Sequence, residues 1–275
     1  MAFQERFLAI STMQPTLEFE IQAYGCSIRI ETGCPELYDA LDRYILPLLP
    51  RNGAPSSTEN VVVRIDGIAD SYRVTVDNIE TASICDQREV NLSVLEALDE
   101  TIVYRLQTLK AVHAGAVVFA DRAILIPGRT HAGKSSMVAE LLRRGGKLLS
   151  DEYALIDGKG RAHSYPRPLL LRDSHLRQSP ALPSDFGSEF ASEPVRVGWI
   201  LALEYRPGSN WEVRSVPQSE ALMILLKNTP HSMAGSPEMV DSFLHAVSGA
   251  QCFGGYRGDV EQGADQILQL IGAPS

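Results

Sequence analysis

Gly128-Arg129-Thr130-His131-Ala132-Gly133-Lys134-Ser135, with Ser136 behind it, fits the pattern G-x-x-x-x-G-K-[ST], a glycine loop whose backbone cradles phosphate. Its surroundings agree with that reading. Ala123 to Ile126 is a short apolar run of strand character. From Ser135 to Arg144 the residues Met137, Val138, Leu141 and Leu142 recur at helical spacing, and Gly145-Gly146 stops the helix. Strand, loop and helix start together aim backbone N–H groups and the positive helix end at one point, where an anion is favoured. In such a loop Lys134 reaches the β- and γ-phosphates and the Ser135 hydroxyl sits on Mg²⁺. The backbone of Gly128, Ala132 and Gly133 and the side chain of Ser136 complete the cradle. Arg129, Thr130 and His131 fill its variable positions, turned either to phosphate or to solvent. The chain therefore reads as a binder of a nucleoside triphosphate.

Working outward, two apolar runs precede the loop. Ala111 to Phe119 and Ala123 to Ile126 are separated by Ala120-Asp121-Arg122, which predicts an antiparallel hairpin. The commonest loops of this kind instead follow a strand with parallel neighbours, so a different architecture is expected. After the helix, Lys147 to Ser150 and Tyr153 to Ile156 are two short strand-like pieces split by Asp151-Glu152. Asp151 stands 16 residues after Ser135, where a strand beside the loop strand would deliver it near the phosphates. Adjacent acids at a strand end are ordinarily solvated surface. Next to a phosphate loop they become candidates, one to hold Mg²⁺ and one to accept a hydroxyl proton.

His113 precedes a buried strand, where a histidine is usually a satisfied core residue, although Ala114 and Gly115 leave room beside it. Arg167 and Arg172 flank a proline-bearing extended run, and either could supply the positive charge that phosphoryl transfer needs. His163, His175, His231 and His245 show no metal spacing.

The first ninety residues read as a smaller α+β domain. Leu17–Ile21 and Cys26–Ile30 predict a hairpin around Gly25, Glu36–Leu49 a helix, 51–58 a loop, and Val61–Ile65 and Tyr72–Val76 two strands joined near Asp66-Gly67. A long helix is expected over Asn91–Thr108, capped by Asn91 and packed on the domain that follows. The division is 1–90 and 91–275. Toward the C-terminus, 173–194 reads as a mobile surface loop. Val195–Tyr205 and Trp211–Val216 read as strands, and Ser219–Leu226, Pro237–Ser248 and Gly258–Ile271 as helices.

Bulk properties narrow the partners. Across 275 residues the net charge is −9, which argues against nucleic acid or an anionic membrane as partner. Four scattered cysteines form no C-x-x-C pair and fit reduced thiols. The N-terminus carries no basic-then-apolar leader, and the expected location is the cytoplasm.

His113 ahead of the hairpin strand, the loop from Gly128 to Ser135, and Leu149-Ser150-Asp151-Glu152 after the helix, in that order, resemble the C-terminal domain of HPr kinase/phosphorylase. They resemble more closely the small HPr-kinase-like serine kinases, including those of peptide-modifying gene clusters. The likeness spans about Ala111 to Arg172. It implies an α/β fold with a mixed sheet, a P-loop kinase domain similar also to phosphoenolpyruvate carboxykinases, and transfer of a phosphoryl group from ATP, with Mg²⁺, to a serine on a peptide or small protein. By position, Lys134 and Ser135 match the phosphate and metal residues, His113 a histidine of the active site, and Asp151 the first of two aspartates. Glu152 stands where the family has the second, its catalytic base. One methylene longer, it requires a shifted acceptor or a swap of duties with Asp151. The Gly-Leu-Gly signature of the bifunctional enzymes is replaced by Val197 to Glu204, which departs from the phosphorylase reaction and the HPr substrate. Related enzymes form symmetric oligomers, so self-association is implied. Two other readings stay open: a small hydroxylated metabolite as acceptor, and a nucleotide-binding regulatory module with little transfer.

Overall fold

The computed structural model describes residues 17–34, 37, 60–68, 71–128, 132–172, 177–230 and 235–273. The expected helix at 36–49 (Leu37 apart), the loop at 51–58, Arg129, Thr130, His131, His175 and His231 lie outside them. The described residues form a mixed α/β structure with two principal sheets and five α-helices.

The first sheet has the order β1-β2-β3-β4-β5. β1 (Leu17–Ala23) and β2 (Cys26–Thr32) make the expected hairpin, turning at Tyr24-Gly25 with both residues at positive φ. β3 (Asn60–Ile68) lies parallel to β2, and β4 (Ser71–Val76) and β5 (Ile79–Ile84) continue antiparallel. Asp66 and Gly67 pair within β3 instead of turning. Period-two alternation sets the faces. Cys26, Ile28 and Ile30 point into the core with Val61, Val63 and Ile65, while Arg29 pairs with Glu20 and Arg64 with Glu31 outside.

Helix α1 (Gln87–Arg105) covers the inner face with Val90, Val94, Leu98 and Ile102. It begins four residues before Asn91, where Asp86 accepts the N–H groups of Glu89 and Val90. Asn91 is thus inside the helix, not its cap. The helix packs mainly on the first sheet, contrary to the sequence expectation, and the same core takes in Ala111, Leu155 and Tyr165 of the second.

The second sheet runs β10-β9-β6-β7-β13-β15-β14, with β8 also paired to β6. β6 (Lys110–Phe119) and β7 (Arg122–Pro127) form the expected antiparallel hairpin over a two-residue turn, Ala120-Asp121, at positive φ. β13 (Val195–Tyr205) lies parallel to both β7 and β15 (Gln251–Arg257), and β14 (Glu212–Ser215) closes the edge. Helices α2 (Lys134–Arg143) and α5 (Val260–Ile271) cover one face through Val138, Leu141, Leu142, Ile267 and Leu268. Helices α3 (Gln218–Lys227) and α4 (Pro237–Ser248) cover the other through Ala221, Leu225, Phe243 and Val247. Buried on both faces, residues 114–119 of β6 and 123–127 of β7 read as apolar runs.

β8 (Lys147–Ser150) and β9 (Tyr153–Ile156) both pair with β6, β8 along its second half and β9 along its first. The expectation had β8 beside the loop strand; its neighbour is β6, one strand removed. β10 (Arg161–His163) bridges β9 and β13. Residues 177–194 are built into the fold. β12 (Gln178–Ala181) pairs with β11 (Leu169–Arg172), Pro183–Phe186 is a 3₁₀ turn, and Phe190 bridges to Leu148.

Candidate functional site

The site forms where β8 passes to β9. Both strands pair with β6, so Asp151 and Glu152 must bridge between two halves of one ladder. Ser150 fixes the bend by accepting, at its Oγ, the N–H groups of Glu152 (3.3 Å) and Tyr153 (3.2 Å). The ladder continues through the Glu152 carbonyl, which accepts from the Ala114 N–H at 3.0 Å.

On the opposite side of β6, β7 ends at Pro127 and the glycine segment begins. The Gly128 N–H donates to the His113 carbonyl (3.3 Å), and the His113 N–H donates to the carbonyl of Asn228 at the end of α3 (2.7 Å). Gly133 caps α2 in the left-handed region, φ 76, and as a glycine supplies no side-chain cap of its own. A β-carbon there would lie 2.5 Å from Nη2 of Arg257, so glycine is required on two counts. The Lys134 stem runs back along Gly128, its Cδ 3.8 Å from where a β-carbon on that glycine would stand.

These elements bring five of the sequence-selected side chains together. Ser135 donates its hydroxyl to Asp151, and the Leu170 N–H donates to the same carboxylate. His113 Nε2 lies 2.7 Å from Oε1 of Glu152. Lys134 is buried and feels both carboxylates, Glu152 more strongly than Asp151. Arg129, Thr130 and His131 lie outside the described residues, while Ala132 and Ser136 flank the helix start. Of the two candidate arginines, Arg167 is the one at the cluster: it is 4% exposed and its Nη1 is 3.8 Å from Oε2 of Glu152. Arg172 is exposed.

Sequence reasoning missed three residues around the cluster, Asp99, Tyr165 and Tyr153. Asp99 of α1 forms a buried ion pair with Arg167, and the Tyr165 hydroxyl donates to Asp99 at 2.6 Å. Tyr153 packs between His113 and Tyr165, with ring centroids 5.8 Å and 6.4 Å away. The signal for Asp99 was present: an acid set among Leu95, Leu98 and Ile102 on the apolar face of a helix. Tyr165 and Tyr153 carried no comparable mark.

Neighbouring carboxylates meet opposite environments. Burial pushes Asp151 up to about 7, opposed by the Ser135 bond and Arg167 and helped by the charge on Glu152. Burial would also raise Glu152, but the His113 bond and the charges of Arg167 and Lys134 hold it below the usual carboxylate range. Burial lowers Lys134 against the pull of the two acids. The pair therefore offers one carboxyl that protonates easily and one that stays ionised.

A metal can be accommodated. Oδ1 of Asp151 is buried with no hydrogen-bond partner, beside the Ser135 hydroxyl. Among the described residues no group of three or more His, Cys, Asp or Glu side chains could hold a metal unaided. A Mg²⁺ ion would need only one or two protein oxygens, completing its shell with phosphate and water. No helix among the described residues is long and apolar enough to cross a membrane.

No protein-family model matches the chain, and no curated protein matches it. Among solved structures, the Hpr(Ser) kinase/phosphatase from Coxiella burnetii aligns at 14% identity over 58% of this chain and 98% of its own, with a TM-score of 0.29.

Proposed function

We propose that the chain is a phosphotransferase that moves the γ-phosphoryl group of ATP to a hydroxyl, on a serine of a peptide or small protein. The observation that carries this reading is the convergence of Lys134, Ser135, Asp151 and Glu152 at the start of α2, where the cap residue is a glycine.

In this reading the segment from Gly128 to Ser136, including Arg129, Thr130 and His131, is a phosphate-binding loop. The α2 N–H groups and Lys134 take the β- and γ-phosphates. Ser135 and Asp151 would hold Mg²⁺, which when bound neutralises charge shared between those phosphates. Glu152, kept ionised, accepts the proton of the acceptor hydroxyl, with His113 orienting its carboxylate. The acceptor oxygen bonds to the γ-phosphorus, the bond from that phosphorus to the β–γ bridging oxygen breaks, and ADP leaves with the electron pair. Arg167 fixes the second Glu152 oxygen and adds positive charge behind the transferred group. The acceptor class comes from the resemblance to HPr-kinase-like serine kinases, and the longer Glu152 places the hydroxyl differently from an aspartate.

Incubation with γ-labelled ATP, Mg²⁺ and panels of serine peptides and small hydroxylated metabolites tests this. Label should reach a hydroxyl acceptor, and Glu152→Gln should lower the transfer rate by about 10²–10⁴-fold while ATP affinity holds. Tight ATP binding with no labelled acceptor would instead mark a nucleotide-sensing module.

A further inference from the structure

A cavity of about 520 Å³ opens beside the start of α2, and neither Asp151 nor Glu152 lines it. It is lined by Gly133 and Ser136, by Tyr205 at the end of β13 and Arg257 at the end of β15, and by Asp259 and Glu261 at the start of α5. Arg257 joins this cavity rigidly to the glycine segment. It is buried, with Nη2 donating to the Gly133 carbonyl (3.0 Å), Nη1 donating to the Gly258 carbonyl (3.1 Å) and its guanidinium 5.2 Å from the Tyr205 ring centroid.

The chemistry of the walls selects the occupant. Asp259 and Glu261 are exposed carboxylates that repel further phosphate but accept hydrogen bonds from hydroxyls. Tyr205, 43% exposed, is the aromatic side chain in the lining. Gly133 and Ser136, which flank Lys134 at the start of α2, line this cavity, so a triphosphate whose terminal group meets Lys134 can carry its other end into it. The cavity volume lies within the range of small-molecule sites.

We propose that this cavity holds the nucleoside of the nucleotide, with the base against Tyr205 and the ribose hydroxyls on Asp259 and Glu261. The assignment rests on the phosphate-binding reading above.

Comparing ATP with inorganic tripolyphosphate, both with Mg²⁺, separates the two claims by equilibrium titration. Wild-type protein should bind ATP about tenfold or more tightly than tripolyphosphate, a margin within what base–aromatic stacking provides. Tyr205→Ala should remove most of that advantage and leave tripolyphosphate affinity unchanged, while Tyr205→Phe retains it. Equal affinity of the wild type for both ligands, or an ATP advantage untouched in Tyr205→Ala, would overturn the nucleoside site alone. Failure of the wild type to bind either ligand, or binding of tripolyphosphate unaffected by Lys134→Ala, would overturn the phosphate reading beneath it.

Discussion

On one flank of the cluster, Lys134 and Ser135 come from a single helix start, and Ser135 reaches Asp151 directly. On the other, Glu152 is held by His113 of β6 and by Arg167, which is itself anchored on Asp99 of α1, a helix that belongs mainly to the first sheet's core. The phosphate flank is local: one loop and one turn of helix build it. The acid flank is long-range, and its geometry depends on how the first sheet packs against the second. In the proposed reaction, binding should therefore survive damage to the first sheet better than transfer does.

A loss of the same order as that of Glu152→Gln should come from the local flank. Lys134→Ala should reduce kcat/KM for transfer by on the order of 10³-fold, about 4 kcal/mol of transition-state stabilisation. Steady-state kinetics with the identified acceptor measures it.

Arg167→Met probes the other flank. It leaves Asp99 as a buried carboxylate without its partner, and breaking such a pair costs about 3–5 kcal/mol. A urea unfolding curve should show that loss, and kcat should fall while ATP affinity holds. Equal losses of binding and turnover would show that the two flanks are not separable.

Asp99→Asn should expose the same link through pH. Burial raises Asp99 to about 6, against about 4 in an unfolded chain. The folded protein thus binds the extra proton between those values. The carboxyl's contribution to stability is full below about pH 4 and lost as pH rises through about 6. Asn cannot titrate. The wild type should gain on the variant, by up to about 3 kcal/mol, as pH is lowered from about 7 to about 4. Denaturation midpoints across that range decide it.

Arg172→Ala should do least. The exposed arginine lies at the end of β11, and transfer should stay within about twofold of wild type, consistent with small effects at surface positions.

The same contrast explains what the sequence disclosed. The run from β6 through α2, and the acids between β8 and β9, were legible because hydrophobic period, glycines and turn length are local signals. The Asp99–Arg167 pair joins residues far apart in the chain, and no spacing announces it. β15 escaped because Gly254-Gly255 reads as a turn. In the fold, β14 presses so close that a β-carbon on Gly255 would lie 2.0 Å from the Glu212 carbonyl oxygen. The start of α1 was missed because Gln87-Arg88-Glu89 precedes the apolar stripe, and periodicity cannot mark a turn with nothing to bury. Residues 177–194 have a loop's composition but are fastened by β12 and by the Ser188 hydroxyl, which donates to the Gly146 carbonyl at 2.6 Å.

The claim that the loop and the acids form one metal-dependent site is tested most directly by measuring ATP affinity with and without Mg²⁺ in wild type and Asp151→Asn. The account predicts that Mg²⁺ tightens ATP binding by about tenfold or more in the wild type and that the substitution abolishes most of this gain. An identical Mg²⁺ effect in both proteins would place the metal, and with it the chemistry, away from Asp151.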